Sequence, residues 1–323
     1  MSLTILNRDQ YIMGRFFSGG FYIKLLSIST TVIATAILIH LFTNSTSPSE
    51  STKQKTTETQ PHITLSVPIP DSVDFCGEPV PLDRPEVMEA LDRELLVNSY
   101  WHSQTILFIK RANRYYPLLE KYLKENGLPE DFKYLCTIES SLMPRAISPA
   151  GAAGFWQILA KTATELKMEV NSEVDERYHL EKSTRAAAAY LKRAYAKYGN
   201  WTLSAASYNG GFAGIQRQTT RQKMDSYYDL LFGEETGRYV YRILAMKIIM
   251  ENPEKYGFDI KPEEKYQPYA TTELTINQSI DDIAEFAIQH GTKYKTIKDL
   301  NPWLRENKLT NPSQKSYTIL MPE

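Results

Sequence analysis

The stretch Gly127–Gln157, GLPEDFKYLCTIESSLMPRAISPAGAAGFWQ, sets a short helical pattern against a turn rich in small residues. Pro129 suits the opening of a helix, and Phe132, Leu135 and Cys136 then share one face. Glu139 lies seven residues after Phe132, four after Leu135 and three after Cys136, so its carboxylate falls on that apolar face. Partial burial favours the neutral form of a carboxyl group and raises its pKa, which is how a general acid stays protonated near neutrality. From this helix alone, a helix-end Glu turned to solvent is the plainer reading. The residues that follow reverse it. After Glu139-Ser140 the chain turns at Pro144 and runs through Ser148-Pro-Ala-Gly-Ala-Ala-Gly154, where small side chains let a ligand approach the backbone. Phe155, Trp156 and Gln157 come next: an apolar platform for a sugar's C–H face and an amide for its hydroxyl and acetamido groups.

Outward from this stretch the pattern is helical. Glu86–Trp101, Pro117–Asn126, Glu130–Ser141, Ser183–Tyr198, Leu203–Tyr208 and Glu234–Met250 carry apolar residues at three- and four-residue spacing. Breaks fall at Gly127-Leu-Pro129, Pro144, Ser148–Gly151 and Gly199-Asn200. Ser183 is a plausible N-cap for an Ala-rich helix, and Gly199 suits the residue just past its end. Ala206-Ser-Tyr-Asn-Gly-Gly211 sets a phenol and a carboxamide beside two glycines, which alone reads as a turn. No run of alternating β-branched residues precedes Thr271, so residues 86–260 are predicted to be a mainly α domain. The tail differs. Thr272–Ile276 is strand-like, Ser279–His290 helical, Thr296–Leu300 helical and Tyr317–Met321 strand-like, a β-α-α-β unit over residues 269–323.

Together these pieces resemble the lytic transglycosylases of the soluble-lytic-transglycosylase (SLT) type, with their goose-lysozyme-like fold. The resemblance runs from about Leu118 to Met250 through four ordered motifs: Glu139-Ser140, Gly154-Phe-Trp-Gln157, Ser207-Tyr-Asn209 and Glu235-Thr-Gly-Arg-Tyr-Val240. The Phe-Trp variant of the second motif, Leu159 and the Val174–Tyr178 segment look most like the membrane-bound type-D branch. Ser207 stands where the family usually has Ala, one small residue for another. The resemblance implies a mainly α, lysozyme-like catalytic domain in which Glu139 is the sole acid/base. That residue would protonate the oxygen between N-acetylmuramic acid and N-acetylglucosamine. It would then take a proton from the muramoyl C6 hydroxyl as this attacks C1, leaving a 1,6-anhydro end. An ordinary glycosidase needs a second carboxylate; here the substrate's own hydroxyl, held close, replaces it. Ser140, Ser148, Gly154, Trp156, Gln157, Tyr208 and Asn209 are the implied substrate-binding positions. Glu235 and Tyr239 border the same groove, in a binding or a structural role. The tail resembles a LysM module, although Asn277-Gln-Ser-Ile280 replaces the family's glycine-rich opening. Its Trp303 is either a glycan platform or a core filler.

Leu25–Phe42 carries no formally charged residue over 18 positions. As a helix it spans roughly 27 Å, close to the ~30 Å hydrocarbon core. Arg8, Arg15 and Lys24 against Asp9 favour a cytoplasmic location for residues 1–24; a cleavable signal peptide is the rival reading, but no A-x-A-like site follows and the apolar run is long. The expected order is therefore a cytoplasmic segment, a membrane helix at 25–42, a disordered Ser/Thr- then Pro-rich linker at 43–85, and folded parts facing the periplasm. Within the linker, 44–60 has no apolar side chain beyond Pro48, and 61–85 carries six prolines.

The balance of 37 Lys+Arg against 38 Asp+Glu argues against a nucleic-acid binder. Two cysteines exclude a disulfide scaffold and a Cys-rich zinc module, and five histidines without a His-x-x-x-His pair point away from a metal enzyme. No cofactor is implied. Cys76 and Cys136 could pair in an oxidising compartment, but Cys136 falls on the apolar helix face, where a free, packed thiol is the plainer reading. The expected partners are peptidoglycan glycan strands and the cytoplasmic membrane. The competing readings are a muramidase that uses water and a non-catalytic cell-wall-binding scaffold.

Overall fold

The computed structural model describes residues 66–323. The expected cytoplasmic segment, membrane helix and Ser/Thr-rich tether lie outside the described residues. Among the described residues, no helix is long and apolar enough to cross a membrane.

A two-stranded hairpin, β1 (Asp74–Phe75) and β2 (Glu78–Pro79), precedes the helices. The Pro-rich lead-in expected to be part of a linker is thus packed structure from residue 66 on. Phe75 is fully buried and meets Phe132 edge-on at 5.4 Å. Lys247 Nζ ties the hairpin down, donating to the Asp74 carbonyl (3.0 Å) and the Asp131 carboxylate (2.8 Å). Composition missed this because one buried aromatic and a few charge contacts suffice to anchor so short a segment.

Seven helices follow: α1 (Pro85–Tyr100), α2 (His102–Glu125), α3 (Phe132–Ser140), α4 (Ala160–Glu165), α5 (Leu180–Tyr198), α6 (Trp201–Gln222) and α7 (Glu234–Glu251). In α1, Val87, Leu91 and Leu95 make a fully buried stripe at four-residue spacing. Helix α2 runs through Pro117, where a helix start was predicted. A proline there removes one backbone donor, but Phe108, Ile109 and Ala112 before it and Leu119 and Leu123 after it are all buried, so both halves are held by the core. The central α3 is buried on every side from Phe132 to Thr137, rather than along one stripe.

Helix α5 begins three residues before the predicted cap. His179 is the N-cap residue, and Ser183 turns its hydroxyl back to the His179 carbonyl (2.8 Å). Gly199 ends the helix in the left-handed conformation (φ 74°), where glycine is unstrained. Ala186–Ala188 of α5, together with Ser204, Ala205 and Ala206 of α6, are buried, and their small side chains let the two helices approach closely. The start of α6 is capped twice: Asn200 accepts from the Leu203 amide (2.7 Å), and the Glu78 carboxylate accepts from the Trp201 and Thr202 amides. The predicted turn at Tyr208–Gly211 lies inside α6, which kinks at Gly211 (φ 68°, ψ 156°).

The C-terminal module has the expected order: β3 (Thr271–Ile276), α8 (Ile283–Gln289), α9 (Tyr294–Leu300) and β4 (Tyr317–Pro322). The two strands pair antiparallel, Thr271 opposite Pro322 and Ile276 opposite Tyr317. Asp282 caps α8 through the Ala284 amide (2.6 Å). The buried Asn301 side chain donates to the Ile297 and Leu320 carbonyls and accepts from the Leu320 amide, fastening β4 to α9. Ile276, Ile283, Ile297, Leu304, Leu309 and Ile319 form the module's core, which Ala153, Val174 and Tyr178 of the helical domain join.

Candidate active site

Helix α3 ends at the cleft. Glu139 occupies its last turn, and Ser141 and Leu142 then take left-handed backbone conformations (φ 56° and 53°) that bend the chain away. Gln104 and Arg111 of α2 hold this bend, donating to the Ser141 hydroxyl (2.9 Å) and carbonyl (3.0 Å). The Glu139 side chain is half-buried. Its pKa lies above the ordinary carboxyl range, chiefly through burial. The carbonyl end of its own helix acts in the same direction, since the partial negative charge there disfavours a second one. Tyr239 of α7 opposes the shift by donating its phenolic hydrogen to Glu139 Oε1, and Arg242 opposes it by its charge.

The loop after α3 is folded on itself by paired bridges between Ile147 and Ala153 and between Ala153 and Ile158. Gly154 has φ 75°, and a Cβ there would lie 1.9 Å from the Arg177 carbonyl oxygen. This glycine is therefore required by the close approach of another chain segment, and not only by a ligand. Trp156, expected as an apolar platform, is fully buried and donates from its ring nitrogen to Thr184 (2.9 Å). Its carbonyl accepts from the Tyr208 hydroxyl (2.8 Å). Gln157 adopts a left-handed conformation (φ 48°) and donates its side-chain amide to the Gly154 carbonyl (2.8 Å).

Tyr208 and Asn209 come from α6 just before its kink. Burial, and next the charge of Glu139, raises the pKa of Tyr208 well above the ordinary phenol value; Tyr239 is raised in the same way. Both phenols therefore remain protonated donors. Asn209 donates to Glu235 Oε1 (3.0 Å) and accepts from the Thr236 hydroxyl (2.8 Å), linking α6 to α7. Gly210 permits that contact, because a Cβ there would meet Thr236 at 3.2 Å.

The structure thus gathers Glu139, Tyr239 and Tyr208 around one point, with Trp156 contributing its carbonyl and Asn209 and Glu235 forming a pair whose charge bears on Glu139. Other expected side chains are engaged elsewhere. The Ser140 hydroxyl is buried and bonds back to the Cys136 carbonyl (3.1 Å), and the Ser148 hydroxyl accepts from the Ala152 amide (3.1 Å). Trp303 is a core residue, 4% exposed and stacked on Tyr317 at 5.7 Å, so it offers no open face to a glycan. Cys136 is buried, Cys76 is partly buried, and both are free thiols.

Two residues of the cleft were missed. Arg242 follows Tyr239 by three positions on α7, a helical spacing that signals a shared face. Trp101, at the α1–α2 corner, is 56% exposed and lines a cavity of about 510 Å³ with Gln104, Ile138, Ser141, Glu235 and Arg242. It is the tryptophan with an open ring beside the cleft, and nothing in its local pattern distinguished it from a helix-end aromatic. Among the described residues, no group of three or more His, Cys, Asp or Glu side chains is placed to hold a metal.

Residues 117–231, which carry Glu139, Gln157, Tyr208 and Asn209, match the model of the transglycosylase SLT domain. Residues 272–323 match the soluble lytic transglycosylase C-terminal LysM-like domain. The chain is 28% identical over 231 residues to membrane-bound lytic murein transglycosylase D of Escherichia coli K12, and equally to that of Escherichia coli O6:H1. That alignment covers 69% of this chain, which spans about half (50%) of the length of those curated relatives. Solved structures similar to the chain include a 70-kDa soluble lytic transglycosylase in complex with bulgecin A, at 23% identity and a TM-score of 0.37, covering 48% of this chain and 27% of that one. Another is an inactive mutant of the lytic transglycosylase Slt from Pseudomonas aeruginosa, at 22% identity and a TM-score of 0.36, covering 46% and 26%. Of the four sequence motifs, those on α3, the following loop and α6 lie within the matched residues 117–231, and the fourth, on α7, lies beyond them.

Proposed function

We propose that the protein is a peptidoglycan lytic transglycosylase that cleaves the β-1,4 bond between N-acetylmuramic acid and N-acetylglucosamine, with Glu139 as the single acid/base. The observation that carries this reading is a carboxyl group at the end of α3 whose pKa is raised by burial and which is hydrogen-bonded by a phenol from a separate helix. A protonated carboxyl can donate to the glycosidic oxygen as the bond breaks. The resulting carboxylate is stabilised by Tyr239 and Arg242, which favour its charged form, so it is competent to accept the C6 hydroxyl proton next. Glu235, the neighbouring carboxylate whose charge reaches Glu139, is exposed and engaged by Asn209, which fits a reaction that uses no second acid.

In this reading the glycan enters the cavity lined by Trp101, Ser141, Glu235 and Arg242, with Trp101 rather than Trp156 as the aromatic surface under a pyranose ring. Ser140, Ser148 and Gly154 support the loop that shapes this cleft. In the same reading the apolar stretch 25–42, which lies outside the described residues, anchors the chain in the cytoplasmic membrane and leaves the folded part in the periplasm. The membrane-bound character of the relatives' printed name supports that placement.

The test is digestion of purified sacculi by the full chain, with mass analysis of the products. Products one water lighter than reducing-end fragments are expected, and Glu139→Gln removes them while leaving glycan binding intact. Reducing ends would show a muramidase; solubilisation undiminished in Glu139→Gln would overturn the assignment of the acid.

A further inference from the structure

The C-terminal module and the loop of the catalytic cleft meet at residues 173–178. The core of the module takes in Val174 and Tyr178, and Val174 forms a backbone bridge with Leu304. The Asp175 amide donates to the Trp303 carbonyl (2.9 Å), and the Arg305 amide donates to the Glu173 carbonyl (2.7 Å). The Glu173 carboxylate accepts from the Thr310 amide (2.6 Å) and hydroxyl (3.0 Å), and the Arg305 guanidinium lies over the Tyr178 ring at 4.1 Å. A tail on a free tether would make none of these contacts.

Arg177 belongs to this segment and faces the other way. It is buried at 8% exposure, and its guanidinium pairs with the Asp175 carboxylate through Nε (2.9 Å) and Nη2 (2.7 Å). Its Nη1 donates to the carbonyls of Gly151 (2.9 Å) and Ile158 (3.2 Å), the two ends of the loop that holds Gly154, Trp156 and Gln157. The Arg177 carbonyl fills the space where Gly154 lacks a side chain. One residue thus holds both ends of the loop and its midpoint.

We propose that Arg177, fixed by Asp175, is a positioning residue through which docking of the C-terminal module sets the geometry of the Gly151–Ile158 loop. The module is then a brace for the cleft as well as a tail for the polymer. This rests on the reading of the cleft as the active site. The guanidinium suits the task because its rigid fork serves a carboxylate and two carbonyls together; an ammonium group is a point donor and cannot span them in the same geometry. The loop must be held closely because Trp156 and Gln157 belong to it, and misplacement by about 1 Å can cost on the order of 100-fold in rate.

The experiment uses the full chain and two variants, Arg177→Lys and Leu304→Asp, the second opening the module core with a buried charge. Amide hydrogen exchange is read over residues 146–158, over 271–322 and over α5–α7, and kcat and KM are measured on soluble glycan fragments. In Arg177→Lys we expect exchange over 146–158 to accelerate at least about tenfold with α5–α7 unchanged, and kcat to fall more than KM rises. In Leu304→Asp, exchange over 146–158 should accelerate together with that over 271–322. A loosened module beside a loop that exchanges as in the parent overturns the proposal, and so does an unaltered loop in Arg177→Lys. Loop exchange that responds as expected in a chain that cleaves no glycan would refute the enzymatic reading and leave the brace standing.

Discussion

The phenol of Tyr239 donates its hydrogen to the carboxyl group of Glu139, reaching from the first half of α7 to the last turn of α3 across 100 residues of sequence. Burial pushes the Glu139 pKa up and this bond pulls it back. The acid is thereby poised between two opposing effects, one from the packed core and one from a single side chain.

Tyr239→Phe removes the restraining bond and leaves the desolvation. The Glu139 pKa should rise further, so the alkaline limb of the rate profile moves to higher pH. The rate at the optimum should fall, on the order of tenfold to 100-fold, because the carboxylate formed during the reaction loses its donor. A pH–rate profile on soluble glycan fragments checks both effects; an alkaline limb that stays in place would show that Tyr239 does not tune the acid.

Glu139→Gln should change stability with a definite sign. The folded-state pKa of Glu139 is above its unfolded value. Between those two values the folded protein retains a proton that the unfolded chain has lost, so its contribution to stability falls as pH rises through that window. The amide variant has no such titration. Its melting temperature relative to the parent should therefore rise from pH 4 towards neutrality, which calorimetry across that range measures.

Gly154→Ala should be severe. The new Cβ meets the Arg177 carbonyl at 1.9 Å and the backbone sits at φ 75°. The left-handed conformation alone costs about 1–3 kcal/mol for a non-glycine residue, and the clash adds to it. Thermal or denaturant unfolding should show a loss exceeding that range, whereas Gly151→Ala, with nothing within 4 Å of its Cβ, should lose only the conformational part.

A chain beginning at Glu86, where the helical pattern starts, should be less stable than one beginning at residue 66. It lacks Phe75, which is fully buried against Phe132, and the Glu78 carboxylate at the start of α6. Loss of a buried Phe side chain typically costs about 3–5 kcal/mol. Denaturant unfolding of the two chains gives the difference, and equal midpoints would mean that the hairpin adds nothing to the fold.

Much of the helical domain was legible because its signals are local. The four-residue spacing in α1, Gly199 at the end of α5 and the β-α-α-β order of the tail each depend on residues a turn or two apart. Signals failed where a distant partner decided the outcome. Pro117 reads as a helix start, but the buried residues on both sides of it carry α2 straight through. The Tyr208–Gly211 stretch reads as a turn, but its tyrosine, asparagine and first glycine are packed in α6 and only Gly211 breaks the helix. Asp74–Pro79 has no periodicity, so its burial was invisible until α3 and α7 closed on it.

From its order of residues alone this chain settles several of its helices, the β-α-α-β order of its tail and that Glu139 lies on an apolar helix face, since these follow from periodicity along a few turns. Only the folded structure decides that Tyr239 faces that carboxyl, that Trp156 and Trp303 are buried while Trp101 is open, and that Arg177 joins the module to the loop. The physical reason is that burial and hydrogen-bond pairing belong to packed surfaces, and a packed surface is made by segments that the chain keeps far apart until it folds.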